Sequence, residues 1–317
     1  MSILILKSIH FLFSFILTFF FLKTFIPILR KIFPVIPNER GMHNIVKPSS
    51  GGISFIAIYF VLALYQGFFL PLFSIPISII GVVDDKFNLS KFLRFLFQVF
   101  TVLLIILYLR NDPDGFVNTI TNYGFIGYFF LIIFGTSIIN FINFMDGIDG
   151  LICGSMIVIF STLNGGIHNL TPLIGTLTAF LYFNWYPSKI FMGDAGSLFL
   201  GSYLVSIMYS NSSDLIGLFR ICLLCSPILL DALFCILRRM INKKNIFKAH
   251  KSHLFQRLYD SGWSHSKISL IFIFFTLLVT LAVIINNIPI IFITVIATII
   301  SGIILDYKYA TPFEKSI

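Results

Sequence analysis

The sequence predicts an all-α, polytopic membrane fold, and three observations carry that expectation. Of the 317 residues, 57% are hydrophobic and only 11% charged, with a mean hydropathy of +0.97; a soluble domain carries about 25% charged residues. Apolar runs rich in Phe, Ile and Leu recur along the whole chain between short polar stretches. Lys and Arg collect in alternate breaks between those runs, the asymmetry that orients membrane segments. Glycine-poor, Pro-sparse interiors favour helices over a barrel. The 39 Phe are read as lipid-facing and packing bulk. With no convincing repeat, low-complexity tail or soluble domain, residues 1–317 are expected to form a single transmembrane domain.

Apolar runs of roughly 15–22 residues place helices at about 8–29, 51–66, 68–83, 92–109, 124–142, 150–164, 170–186, 195–210, 215–236, 267–286 and 289–305, about 10–11 transmembrane helices in all. The first run is too long for a signal-peptide core and lacks a small-residue cleavage site, so it is expected to stay as an anchor. If the runs alternate direction, the breaks after odd-numbered runs share one side. Those breaks hold Arg30, Lys31, Lys47, Lys86, Lys91, Lys189 and the Arg238–Arg257 segment, whereas the opposite breaks hold little beyond Lys7 and Arg110. The odd exits are therefore expected in the cytoplasm and the N-terminus outside. Loop topology thus accounts for the net charge of +9, and nucleic acid is not an expected partner. Cys153, Cys222, Cys225 and Cys235 all lie in apolar surroundings and are expected as buried structural thiols.

The same parity gathers the acidic motifs on one face. Asp84-Asp85 leaves the third run, Asp146 and Asp149 the fifth, Asp194 the seventh, and the His250/His253 segment follows the ninth. A random scatter would divide such groups between the faces, so their convergence argues for one active site. A transporter, the alternative from another class, would place polar groups at mid-membrane and on both faces.

Around this face the residue types suggest particular chemistry. In Asn140-Phe-Ile-Asn143-Phe-Met-Asp146-Gly-Ile-Asp149-Gly150, polar residues recur every third position, so neighbours share a helix face while the ends drift apart. Gly147 and Gly150 are expected to loosen the helix end and let Asp146 and Asp149 turn towards a common ligand. Adjacent carboxylates at Asp84-Asp85 repel, which raises the pKa of at least one and suits a base or nucleophile. Asn88 closes the same motif, and Lys91 and Arg94 follow it, positioned to neutralise a phosphate. Upstream, Lys47-Pro48-Ser-Ser-Gly51-Gly52 opens a helix and suits an anionic head group, with Arg40 and His43 nearby in the same loop. Asn184 leads into Phe191-Met-Gly193-Asp194-Ala-Gly196-Ser197, where Phe191 could stack on a base or simply pack. Asp194 with an amide such as Asn143 makes an oxygen-rich set suited to Mg2+. His250 and His253 at i,i+3 look like a metal pair, but no thiolate or third imidazole is expected nearby; with Lys248 and Arg257 they are expected to clamp a diphosphate.

Taken together, K-P-x-x-G-G, D-D-x-x-N-L, N-x-x-N-x-x-D-G-x-D-G, F-M-G-D-x-G-S and the terminal H-x-x-H cover nearly the whole chain in order. The set resembles the polyprenyl-phosphate N-acetylhexosamine-1-phosphate transferase superfamily, glycosyltransferase family 4. That resemblance implies transfer of an N-acetylaminosugar 1-phosphate from a UDP-sugar to undecaprenyl phosphate with release of UMP. It implies a bacterial inner-membrane enzyme with Mg2+ or Mn2+ as cofactor, with membrane lipid around it and a homodimer open. By matching position, Asp84 resembles the catalytic carboxylate, with Asp85 beside it, and Asn143 and Asp194 resemble the metal pair. Asp149 and Phe191 match residues that hold the uracil, Arg94 a phosphate-binding base, and His250, His253 and Arg257 the segment that meets the sugar diphosphate. Lys47, Asn88, Asn140, Asp146 and Asn184 complete the expected substrate side. Phospho-N-acetylmuramoyl-pentapeptide transferases of this superfamily carry consecutive histidines where this chain has His250-x-x-His253, which favours the branch that starts O-antigen or related surface glycans.

Overall fold

The computed structural model describes residues 3–36, 45–164, 169–245 and 250–316. Its helices are α1 (Ile3–Ile32), α2 (Gly52–Tyr65), α3 (Ile75–Phe87), α4 (Lys91–Leu109), α5 (Phe116–Thr121), α6 (Phe125–Met145), α7 (Leu151–Leu163), α8 (Thr171–Asn184), α9 (Gly193–Asn211), α10 (Leu215–Leu224), α11 (Ser226–Ile241), α12 (Leu254–Asp260), α13 (His265–Ile285) and α14 (Ile288–Lys308). Every expected apolar run contains an α-helix, but the run at 68–83 opens with a 3-10 turn over Leu70–Ser74 and becomes α-helical only from Ile75. The protein is an all-α, multi-pass membrane protein. Among the described residues five helices, α1, α4, α6, α13 and α14, are long and apolar enough to cross a bilayer unaided. The ninth run is broken at Cys225, where α10 and α11 meet at 89°, and counts as a sixth crossing if the pair is one span. The expected 10–11 transmembrane helices thus correspond to five or six candidate crossings by length and composition. Helices α2, α3, α7 and α8 are only 13 or 14 residues long, below the ~20 residues that a hydrocarbon core requires of a straight helix.

Helix α9 is the axis of the bundle. Every residue from Ala195 to Tyr209 is buried, and α2, α3, α4 and α6 pack around it. Shielded by protein on all sides, α9 needs no uniformly apolar surface. Its Ser202 and Ser206 hydroxyls donate back to the carbonyls of Phe199 and Ser202, and the Tyr203 and Tyr59 hydroxyls bond each other. Apolar side chains instead face outwards on the peripheral helices, as Leu12 and Phe20 do on α1 and Ile293 and Ile300 on α14.

Small residues set the closest crossings. A Cβ at Gly52 would lie 2.3 Å from the Gly196 Cα, so α2 and α9 touch backbone to backbone. Gly52→Ala is expected to destabilise the folded protein by about 1–3 kcal/mol through overpacking, read as a lowered Tm of the purified protein; an unchanged Tm would contradict this contact.

The sequence offered no sign of the one sheet among the described residues. Strands β1 (Pro34–Val35) and β2 (Lys47–Pro48) pair antiparallel with Val35 opposite Lys47. From β2 the chain runs along the 191–192 segment: Phe191 N donates to Pro48 O at 2.9 Å, Gly51 N to Phe191 O at 3.0 Å and Gly52 N to Met192 O at 2.9 Å. This ladder carries Lys47 to the end of the bundle where the acidic motifs lie.

Candidate active site

The C-terminal ends of α3, α6 and α8 and the N-terminal ends of α4 and α9 meet at one end of the bundle. Helix α3 stops because Asn88 adopts a left-handed φ of +51°, while its N–H still bonds Asp84 O at 2.9 Å. The chain then turns back, and Ser90 caps α4 by accepting from Leu93 N at 3.3 Å. Asp84 and Arg94 are thereby set face to face across the turn. Helix α6 ends at Met145, and Gly150 at φ +79° starts α7, so Asp146 and Asp149 lie on a loop, as Gly147 and Gly150 predicted. Gly193, at φ +74°, admits α9 from above: a Cβ there would sit 2.3 Å from Asp85 Oδ2 and 2.6 Å from Ser49 Oγ.

Arg94 Nη1 bridges two carboxylates, donating to Asp84 Oδ2 at 2.8 Å and Asp194 Oδ2 at 2.9 Å. Asp84 Oδ1 also accepts from Leu89 N at 2.5 Å. Burial, then the facing Asp194 carboxylate, push the Asp84 carboxyl up to about 6 against the pull of Arg94 and Leu89 N–H. Asp85 accepts from the Ser50 hydroxyl at 2.5 Å and from Asp194 N at 3.0 Å. Burial again raises it to about 6, with the Ser50 hydroxyl working against the rise and Asp194 adding to it. Asn143 Nδ2 donates to Asp194 Oδ1 at 3.0 Å and Ser197 Oγ at 2.9 Å. Asp146 is half-buried with no ion-pair partner among the described residues, and burial followed by Asp194, Asp85 and Asp149 pushes it well above the ordinary carboxylate range.

Asp85, Asn143, Asp146 and Asp194 of this set line a cavity of about 340 Å3 together with Ser49, Asp149, Asn184, Phe191 and Gln256 among others, and Asp84 and Arg94 join it through Asp194. Four carboxylates and three amides face it. Such an oxygen-rich, net negative wall fits a hard divalent cation better than it fits a bare anionic ligand. The expected metal pair, Asn143 and Asp194, is in direct contact, although the amide nitrogen and not the oxygen faces the carboxylate; a half-turn of the amide exchanges the two.

At the far wall, Asp149 is 3% exposed. It accepts from Ser188 N at 3.1 Å and lies 3.5 Å from both Lys47 Nζ and His265 Nδ1. Burial alone would raise its carboxyl, but His265, Lys47 and the Ser188 N–H together hold it below its ordinary value. Lys47 Nζ donates to Ser188 Oγ at 2.9 Å and sits 5.1 Å over the Phe191 ring. Asn184 ties the two loops together, accepting from Gly150 N at 3.1 Å and donating to Ile190 O at 3.0 Å.

The glycosyl transferase family 4 model matches residues 68–211, which hold Asp84, Asn143, Asp149 and Asp194. A probable undecaprenyl-phosphate N-acetylglucosaminyl 1-phosphate transferase of Bacillus subtilis is 32% identical over 257 residues, covering 72% of this chain and 70% of that protein. The chain belongs to glycosyl transferase family 4. This family 4 transferase is also similar to a phospho-N-acetylmuramoyl-pentapeptide-transferase of Dictyoglomus thermophilum, at 30% identity over 70% of this chain and 77% of the other. A decaprenyl-phosphate N-acetylglucosaminephosphotransferase of Mycobacterium leprae is 29% identical over 74% of this chain and 72% of its own.

Several expected site residues of the transferase are placed elsewhere. Asn140 exchanges amide hydrogen bonds of 2.8 and 3.0 Å with Gln98 and donates to Thr136 O, clasping α6 to α4 behind the cavity. Asn88 is exposed at the helix stop. Lys47, expected on a phosphate, is committed to Asp149 and Ser188. Arg257 is 2% exposed and turned to Asp306, Thr311 O and Ser252 O, away from the carboxylates. Burial, then the neighbouring His253, Arg239 and Lys91, lower His250 to about 4. His253 borders the site through Phe144, the residue after Asn143, at 6.3 Å between rings, and through Gln256, whose Oε1 accepts from His253 N at 3.1 Å. Arg40, His43 and Lys248 lie outside the described residues. The sequence reading missed Ser50, Ser188 and His265, each bonded to a carboxylate or its neighbour; loop parity puts His265, at the start of α13, on the acidic face and could have found it.

Proposed function

We propose that this protein transfers an N-acetylaminosugar 1-phosphate from a UDP-sugar to undecaprenyl phosphate, releasing UMP, at the cytoplasmic face of the bacterial inner membrane, as a first step towards O-antigen or a related surface glycan. The convergence of Asp84, Asp85, Asp146 and Asp194 with Asn143 at one end of the bundle, opposite the Asp149–Phe191 wall, carries this reading. The relatives named above act on polyprenyl phosphates by their names, and their sugars differ.

In the reaction an oxygen of the lipid phosphate attacks the sugar-linked phosphorus, the bond to the UMP oxygen breaks, and UMP leaves. Asp84, poised near pH 6 and fixed by Arg94 and Leu89 N–H, takes the proton from the lipid phosphate or attacks first as a nucleophile. Asp149 and Phe191 form the wall for the uracil, with Asn184 holding their two loops in register. Asn143 and Asp194 would hold Mg2+, or Mn2+, and the raised carboxyls of Asp85 and Asp146 would be drawn into their charged form beside it. When bound, the ion neutralises the diphosphate and makes its phosphorus more electrophilic. A largely apolar groove of about 230 Å3 between α11, α13 and α14 suits a prenyl chain.

Purified protein incubated with undecaprenyl phosphate and a panel of UDP-sugars, including UDP-N-acetylmuramoyl-pentapeptide, tests this. The expected result is UMP release and an undecaprenyl-diphospho-sugar, detected by mass, with one or a few N-acetylaminosugar donors. Conversion only with the muramoyl-pentapeptide donor would move the protein to peptidoglycan synthesis, and passage of unmodified lipid across a bilayer without UMP would make it a transporter.

A further inference from the structure

The segment that carries His250 and His253 contains no thiolate, but the fold supplies one. Cys235, on the face of α11 turned to this segment, offers its sulfur to the same point as a nitrogen from each imidazole, and all three ligand atoms lie within 4.8 Å of one another. We infer that Cys235, His250 and His253 form a second metal site, one that takes a borderline transition ion of the Zn2+ class and is separate from the carboxylate cavity.

Two further observations support it. His253 is 3% exposed, and its Nδ1 finds no hydrogen-bond partner among the described residues; an imidazole this deep is normally bonded at both nitrogens. The nearest acceptor, Asp231 Oδ1, lies 3.8 Å away, one helical turn before Cys235 and already holding Leu254 N at 2.8 Å. At 3.8 Å that carboxylate is beyond hydrogen-bond reach, so Nδ1 stays unpaired, and a small rotation of the ring towards Asp231 would give a metal-bound histidine its orienting partner. Cys235 is itself 3% exposed and unpaired with any other cysteine.

Ligands at 2.0–2.3 Å from Zn2+ stand roughly 3.3–3.6 Å apart, so side-chain closure of about 1 Å completes the site. His250 is half-buried and, among the described residues, its side chain is joined by a 3.3 Å bond from Ser252 N to its Nδ1, so its ring is the one that can move. The thiol proton passes to solvent as the ion binds. A thiolate with the Asp231 carboxylate then balances the dication among Arg239, Arg257 and Arg238, which stand around the same sulfur, the last two already paired to Asp306. Mg2+ is excluded by ligand type, since it prefers oxygen. Occupancy withdraws both imidazoles from any phosphate they meet, a consequence that rests on the proposed function, whereas the binding itself does not.

Co2+, as a spectroscopic substitute for Zn2+, tests the site in the full-length protein kept in detergent with excess Mg2+. One equivalent should produce a thiolate-to-cobalt charge-transfer band in the near ultraviolet, removed by Zn2+. The band should vanish in Cys235→Ser and persist when Cys222 and Cys225 are both Ser. His250→Ala, a change in a half-buried loop that leaves the helices intact, should weaken Co2+ binding at least tenfold. No charge-transfer band in the wild type, a band that survives Cys235→Ser, or unchanged affinity in His250→Ala would each overturn the inference. None of these readouts depends on sugar transfer, so failure of the proposed function leaves this test standing.

Discussion

Asp84→Asn should lower UMP release from UDP-amino sugar and undecaprenyl phosphate by at least about a hundredfold, the range in which a positioned acid–base group contributes. The substitution is nearly isosteric, and the amide oxygen can still accept the Leu89 N–H that fixes the turn after α3. The fold is therefore retained while the negative charge, the basicity and half of the Arg94 bridge are lost. Arg94 keeps Asp194 at 2.9 Å, so the wall opposite Asp149 should not collapse. The measurement is UMP formation by correctly inserted, monodisperse variant protein. Turnover near that of the wild type would remove Asp84 from the chemistry.

Chelation of divalent metal with EDTA is expected to abolish transfer, and Mg2+ or Mn2+ to restore it. The reason is the charge around the cavity: Asp85, Asp146, Asp149 and Asp194 all line it, with Lys47 paired to Asp149 and Arg94 to Asp194. A diphosphate brought to such a wall is repelled unless a cation lies between. Asp194→Asn removes the central carboxylate and should raise the Mg2+ concentration needed for half-maximal rate at least tenfold. Full activity in EDTA would rule out the Asn143/Asp194 assignment.

The helical class and the gathering of acidic motifs were legible because each follows from a local rule. The number of crossings was not, since α2, α3, α7 and α8 are shorter than the apolar runs that hold them. Hydrocarbon thickness sets how long an apolar run must be, and alternation of runs sends every second break to the same end. Asn140 shows where local rules stop. It lies three residues before Asn143, so its side chain is rotated by about 60° on the helix. That rotation is enough to turn Asn140 to Gln98 on α4 and Asn143 to Asp194 on α9. Spacing alone groups the two amides; only the positions of α4 and α9 separate them. Arg257 was misplaced for a related reason, since its partner Asp306 lies 49 residues away on α14.

By itself, then, the sequence determined that this chain is a helical membrane protein of glycosyl transferase family 4 with its polar motifs at one end. Those properties depend on hydropathy, parity and short motifs, all local. Tertiary structure decided which polar groups face the cavity, which clasp helices, and that Lys47 serves Asp149 through a two-residue strand. It also joined Cys235 to His250 and His253, although the sulfur belongs to an apolar helix and the imidazoles to a loop. Such assignments depend on which helix faces stand opposite each other, a relation that arises only when the bundle packs around α9.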